Sequence, residues 1–347
     1  MEMTKAHYLV LGGTGSIGYA VAQELLAQNE QVTLLVRNRQ KAQGLFKQQP
    51  NLTIVEGDTK DLPLLKQLGA QATHIFHGIN YPYNKWEGNM EEVTRNVIEA
   101  AAQNKATILF PGNVYNYGLT ARPITETDHP NPNTREGAIR VRLEKLLQQA
   151  AAEGKCKVLL LRLPDFWGPN VTNEGVAPIF NGALTGKPMP WLVNLDIPHQ
   201  LVYTPDAARV FYQLLQKAPS ENFTLYNYGG EVVLSMRQLF QQIASLAGTT
   251  PRYKLYSKGF VRFMGLFIPV LRELKEMLYL YDQTIVLDDS KLKKALPGFR
   301  PTPLPEAIRT TLDWFREHYH TREELRKQPA SGGAPGGKVR AEGLSTF

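Results

Sequence analysis

The chain has 347 residues, 43% hydrophobic and 20% charged, and a formal charge of +7. That length suits two domains or one large elaborated one with a sizeable core. A single cysteine, Cys156, excludes an intrachain disulfide framework and a cysteine-cluster metal site, and the cations are scattered without the compact basic block that a nucleic-acid site needs.

The first apolar run, Tyr8 to Leu11, ends in glycines rather than extending into a signal core, which fits a cytoplasmic protein. Short apolar runs then alternate with helical patterns, the signature of a parallel sheet covered on both faces. Strands are expected at 7–11, 31–36, 52–55, 73–77, 106–111 and 157–163. Helices are expected between them at 16–28, 39–47, 61–68, 84–104 and 134–153. After Leu163, Pro and Gly become frequent, reading as long loops around a short helix. Thr204-Pro205-Asp206 reads as a helix start with Thr204 as the cap, and 223–228 as a last sheet strand. Residues 230–320 read as helical, with one short strand at 253–256. The expected fold class is thus α/β: a doubly wound parallel-sheet Rossmann domain with a smaller, mainly helical substrate region. The Rossmann part would span 1–170, completed by 200–228, and the substrate region 171–199 and 229–325. The Gly-, Pro- and Ser-rich end, 326–347, reads as a disordered tail.

Directly after the first strand comes Gly12-Gly13-Thr14-Gly15-Ser16-Ile17-Gly18, followed by an amphipathic helix. Glycines at 12, 15 and 18 permit the tight turn, backbone approach to a pyrophosphate, and close helix–strand packing. The free N–H groups and positive dipole end of the following helix face the phosphates. Gly12, Thr14, Gly15, Ser16, Ile17 and Gly18 are therefore the expected dinucleotide cradle. The second strand ends in Val36-Arg37-Asn38-Arg39, with no acid to bind a ribose 2′-hydroxyl. Two guanidiniums there favour a 2′-phosphate, hence NADP(H), with NAD(H) the weaker alternative. Asp58 after the third strand would sit beside the adenine, and His77 ends the fourth strand near the cofactor or serves as a core histidine.

These glycines, Gly57-Asp58, Tyr115-Asn116-Tyr117-Gly118 and Arg162-x-x-Asp165-x-Trp167-Gly168-Pro169 together resemble the extended short-chain dehydrogenase/reductase superfamily. More closely, the chain is similar to its NAD(P)-dependent epimerase/dehydratase branch. The resemblance implies a Ser or Thr at the end of strand five and a Tyr-x-x-x-Lys pair on the next helix. Here the matched positions are Asn113, Glu136 and Arg140, so all three are replaced. Arg140 can still bond the ribose, and Asn113 can polarise a substrate oxygen through its amide. A glutamate beside an arginine should stay ionised, serving as a base but poorly as an acid. Glu136, Arg140 and Glu144 also fall at i, i+4 and i+8, the spacing of a solvated salt-bridge stripe. Tyr115 and Tyr117, on the rim where such sheets bind ligands, are the expected displaced proton carriers; Tyr81 and Tyr83 lie on the same rim.

The functional expectation is an NADP(H)-dependent oxidoreductase or epimerase acting on a small or partly apolar carbonyl or hydroxyl, sugar-like substrates included. The alternative is a catalytically weak NAD(P)-binding sensor or partner protein. The loops 113–135 and 164–200 and the helices 258–281 would form a pocket rich in Tyr, Trp, Pro and Phe with few cations. The most span-like stretch, 260–280, carries Arg262, Arg272, Glu273, Lys275 and Glu276, so no stable membrane insertion is expected. Apolar positions at 259–271 read first as core packing, with a lid, a subunit contact or membrane contact as alternatives. The resemblance also implies pairing of helices 84–104 and 134–153 into a homodimer. Ile98, Ala101, Ala102, Ile139, Leu143, Leu146 and Leu147 would form that face.

Overall fold

The computed structural model describes residues 6–217, 221–233, 235–267, 271, 275–320 and 339–340. Seven parallel strands form one sheet. They are β1 (His7–Leu11), β2 (Gln31–Val36), β3 (Leu52–Glu56), β4 (His74–His77), β5 (Thr107–Gly112), β6 (Lys157–Arg162) and, later in the chain, β10 (Phe223–Asn227). Their spatial order is β10-β6-β5-β4-β1-β2-β3, so the winding reverses between β1 and β4. Ligands of such sheets bind in the crevice at that reversal, outside the carboxyl ends of the strands. Helices α1 (Ser16–Ala27), α2 (Arg39–Leu45), α3 (Leu62–Gly69), α4 (Asn89–Ala102) and α5 (Arg135–Ala152) connect the first six strands. Both faces of the sheet are covered, which is why its strands are apolar almost throughout: Tyr8 to Leu11 and Ile108 to Phe110 are at most 1% exposed.

Beyond β6 the chain builds small elements where the sequence suggests mainly loops and helices. These are β7 (Asp165–Trp167), α6 (Ala177–Thr185), β8 (Met189–Leu192), β9 (His199–Tyr203) and α7 (Thr204–Gln216), followed after β10 by β11 (Glu231–Val233), α8 (Met236–Ala247), β12 (Tyr253–Tyr256) and α9 (Lys258–Met264). β11, β9 and β7 form a three-stranded sheet, and β12 pairs in parallel with β8. The cap of α7 is Tyr203 rather than Thr204, which is already helical. Tyr319–His320 pairs with Val339–Arg340; the rest of the tail expected at 326–347 lies outside the described residues.

Two expectations about apolar faces change. Ile98, Ala101, Ile139, Leu143 and Leu147 are buried in the chain's own core, so α4 and α5 spend most of the proposed dimer face on each other and the sheet. The 259–271 stretch is not core throughout. Val261 is buried, whereas Phe260, Phe263, Leu266 and Phe267 stand out into solvent. Among the described residues no helix is long and apolar enough to cross a membrane. Cys156 is buried, and that burial pushes its thiol up to about 11.

Candidate active site

One cavity of about 510 Å³ opens at the winding reversal. One end is the glycine loop, with Gly12, Thr14, Gly15, Ser16, Ile17 and Gly18 all on the wall. Gly15 caps α1 in an extended conformation without a side chain, so the helix's leading N–H groups are open to a ligand. Gly18 has to be glycine: a Cβ there would lie 2.2 Å from the carbonyl oxygen of Gly12. That contact holds α1 against the turn, and with it the cradle. Asn170, which the sequence did not flag, donates from Nδ2 to the carbonyls of Thr14 (3.3 Å) and Gly15 (3.4 Å), tying the cradle to the segment after β7.

At the end of β2, Arg37 lines the cavity and Arg39 does not. Asn38 separates them by capping α2, its Oδ1 accepting from the Lys41 amide at 2.8 Å. The cap makes Arg39 the first residue of the helix, where its amide donates to Glu56. It also brings Lys41 onto the wall in place of Arg39. Asp58 lines the same end, beside Gly57 and Thr59.

The other end is aromatic and acidic. Asn113 and Tyr115 follow β5 onto the wall; Tyr117, two residues later in a 3₁₀ turn, does not. Its ring lies under the Arg162 guanidinium at 4.8 Å, in a separate apolar cluster with Val114 and Ile124. Asn113 Oδ1 accepts from the Tyr115 amide at 3.2 Å, which leaves its NH₂ group as the donor for a ligand. The hydroxyls of Tyr115 and Tyr83 share a hydrogen bond at 3.0 Å. Burial, followed by the fields of Tyr83 and Asp165, holds the Tyr115 phenol well above the ordinary range.

The Glu136–Arg140–Glu144 ladder is not a solvated stripe. Glu136 and Glu144 are buried, and Arg140 is partly so. Gly137 explains how this face of α5 gets in so close: a Cβ there would stand 2.3 Å from the Tyr115 carbonyl oxygen. One turn further along, Arg140 reaches the cavity wall. Its guanidinium stacks over Trp86 at 4.8 Å and donates to the Pro111 carbonyl at 3.4 Å. Its buried Nε–H has no partner among the described residues. A buried donor without a partner is costly, so it marks where a ligand acceptor belongs. Glu136 does not line the cavity, although its charge is felt by Tyr83. Glu144 pairs with Arg162 at 2.8 Å beneath the sheet. His77 lines the cavity as a neutral imidazole, lowered to about 3 by burial and then by Arg140, with Nε2 bonded to Thr94 at 3.0 Å.

Asp165 stands in the sequence only as part of the Arg162-x-x-Asp165-x-Trp167 motif, with no site role assigned to it. The chain leaves the sheet at Leu163-Pro164, and β7 carries Asp165 onto the wall beside Tyr83, Tyr115 and Tyr281. No hydrogen bond or ion pair to its carboxylate exists among the described residues, and burial raises it to about 6. The only signal in the sequence was an acid three residues past Arg162, at the carboxyl end of a central strand. Among the described residues no group of His, Cys, Asp and Glu could hold a metal.

The residues fit a dinucleotide: a cradle that a Cβ would fill, an open helix terminus, and an unsatisfied buried donor at Arg140. Comparison with known proteins agrees. A UDP-N-acetyl-alpha-D-glucosaminuronate decarboxylase of Bacillus cytotoxicus is 25% identical over 338 residues, covering 90% of this chain and 98% of its own. Among solved structures, WbmH of Bordetella bronchiseptica in complex with NAD+ superimposes with a TM-score of 0.72 at 19% identity, over 91% of this chain and all of its own. A dTDP-glucose 4,6-dehydratase of Bacillus anthracis, also an NAD complex, gives 0.73 at 16% identity, over 90% and 97%. The sequence profile of the NAD dependent epimerase/dehydratase family matches residues 8–229, and the chain belongs to that family.

Proposed function

We propose that this chain is a nicotinamide-dinucleotide-dependent enzyme that oxidises and re-reduces a secondary hydroxyl on a partly apolar, sugar-like substrate. The observation that carries the reading is the single cavity joining the glycine cradle to the Asn113, Tyr115 and Asp165 cluster. The bound dinucleotide supplies the acceptor for the hydrogen on carbon. The chain supplies the handling of the proton on oxygen. Arg140 holds the cofactor ribose through the Nε–H that has no partner among the described residues. The Asn113 amide donates to the substrate oxygen. Tyr115, held protonated, serves as a hydrogen-bond donor rather than a base. Asp165 takes the hydroxyl proton as the carbonyl forms and returns it when the reaction reverses. A carboxyl near 6 suits both directions close to neutral pH.

The lining also bears on the substrate. Among the described residues the cavity's Lys and Arg side chains are Arg37, Lys41 and Arg140, while the wall is rich in Tyr, Trp and Phe. Two of the three similar proteins are named for nucleotide-linked sugars, whose diphosphates call for cations. Arg37 and Lys41 stand at the adenosine end, leaving Arg140 alone toward the substrate, which favours a less charged molecule. Turnover of uncharged secondary alcohols and ketones against nucleotide sugars, with each dinucleotide, tests this. Absence of turnover on every panel would favour the catalytically weak sensor.

Cofactor choice gives a separate expectation. With Arg37 and Lys41 on the wall and no acid at the end of β2, NADPH should bind at least tenfold more tightly than NADH. Tenfold is about 1.4 kcal/mol, within reach of one charged contact to a 2′-phosphate. Calorimetric titration should show Arg37→Ala removing that preference; equal affinities in the unmodified protein would refute it.

A further inference from the structure

Six large hydrophobic side chains stand exposed among the described residues, and five of them fall between Leu255 and Phe267. Leu255 lies on β12; Phe260 and Phe263 are on α9, with Leu266 and Phe267 just beyond it. Phe263, Leu266 and Phe267 are 60%, 68% and 69% exposed. The protrusion is anchored: Val261 is 1% exposed, in the same apolar cluster as Met277 and Leu280 of the cavity wall. The phenylalanines therefore project from a fixed base.

The charge of the segment that carries them is one-sided. Residues 232–272 contain Arg237, Arg252, Lys254, Lys258, Arg262 and Arg272 and no acid at all. Arg237 is paired with Asp196, and Lys258 with Asp282. Arg252, Lys254 and Arg262 are exposed and in no ion pair among the described residues. Apolar residues flanked by unpaired cations, on a helix too short to span, match a surface that lies on a bilayer with its apolar face in the headgroup region. The cations match the negative potential of anionic lipids.

We infer that the α9 segment docks the protein on an anionic lipid surface, with Phe263, Leu266 and Phe267 inserted and Arg252, Lys254 and Arg262 on the headgroups. The three unpaired cations favour lipid over a protein face, where cations are ordinarily met by specific carboxylates. Because Val261 shares its cluster with the cavity wall, docking would set the cavity's aromatic end close to the membrane.

The test is flotation of the full chain with vesicles of phosphatidylcholine alone and of phosphatidylcholine with 30% phosphatidylglycerol. Binding should appear on the anionic vesicles, at least tenfold above the neutral ones, and should weaken as salt rises. Phe263→Ser/Phe267→Ser and, separately, Lys254→Glu/Arg262→Glu should each reduce it at least tenfold with the melting temperature unchanged, since these side chains are exposed. No binding to anionic vesicles at low salt overturns the inference, as does unchanged binding by both variants. Light scattering without lipid supplies the remaining arm. If the unmodified chain is oligomeric and Phe263→Ser/Phe267→Ser makes it monomeric, the segment is a contact between copies and the lipid assignment is wrong.

Discussion

Asp165→Asn is expected to lower turnover by about 10²-fold or more while raising thermal stability. The first effect is the usual weight of a positioned general base. The second follows from linkage. An acid whose carboxyl is raised in the folded chain, here to about 6 from an ordinary 3.8, binds more protons folded than unfolded between those values. Stability contributed by the protonated form is therefore present below about pH 4 and is lost as pH rises through 6. The amide carries no such penalty, so Asp165→Asn should melt higher than the unmodified protein at pH 7 and gain little at pH 4. The unmodified enzyme should show oxidation rising with pH to a limb near 6, and the variant should lack that limb. Tyr115→Phe should slow turnover without moving the limb, because its phenol stays protonated across that range. A pH profile unchanged in Asp165→Asn would remove Asp165 from the proton path.

Glu144→Ala is expected to destabilise the fold by about 3–5 kcal/mol, the usual consequence of leaving one member of a buried ion pair alone. Arg162 is 2% exposed and joins three elements: Glu144 on α5, its own strand β6, and Asn227 of β10 at 3.4 Å. Its guanidinium also covers the Tyr117 ring. Without Glu144 the charge has no carboxylate among the described residues and the α5–β6 junction loosens. Urea denaturation should show the loss as a lower midpoint. Replacing both partners, as Glu144→Leu/Arg162→Met, should recover much of it, since a buried pair is often worth little net against apolar packing. If Glu144→Ala falls within 0.5 kcal/mol of the unmodified protein, a surface-like value, the pair contributes nothing structural.

The central sheet was legible because parallel strands covered on both faces must be apolar nearly throughout. Such runs announce their own ends, and β1 and β2 fall where the sequence places them. The small strands were not legible for the converse reason. β7 has three residues, and its partner β9 lies more than thirty positions away, so nothing local marks it. At the site, spacing placed Gly12, Gly15 and Gly18 on the cavity wall because backbone geometry alone demands them there. Side chains that depend on a turn's phase were harder. Tyr115 and Tyr117 look equivalent in sequence, yet a 3₁₀ turn sends one to the cavity and the other beneath Arg162. Arg39 and Lys41 exchange places once Asn38 is seen as a cap. Asp165 was visible as a motif position but not as a site residue, because its chemistry comes from burial and an acid's name in a sequence says nothing about that.

The packing of α5 suits Glu136 and Arg140 and resists a Tyr-x-x-x-Lys pair at the same two positions. Glu136 is 2% exposed and adjoins Gly137, whose backbone is already in contact with the Tyr115 turn. A phenol introduced at 136 would have to find its volume inside a closed wall, and overpacking of that kind costs about 1–3 kcal/mol. Lysine at 140 would replace the guanidinium over the Trp86 ring with a compact, strongly hydrated point charge. Tyrosine at 136 would need a wider gap between α5 and the Tyr115 turn. Glu136 and Arg140 are thus fixed by the shape of this helix face, whatever part each takes in the chemistry.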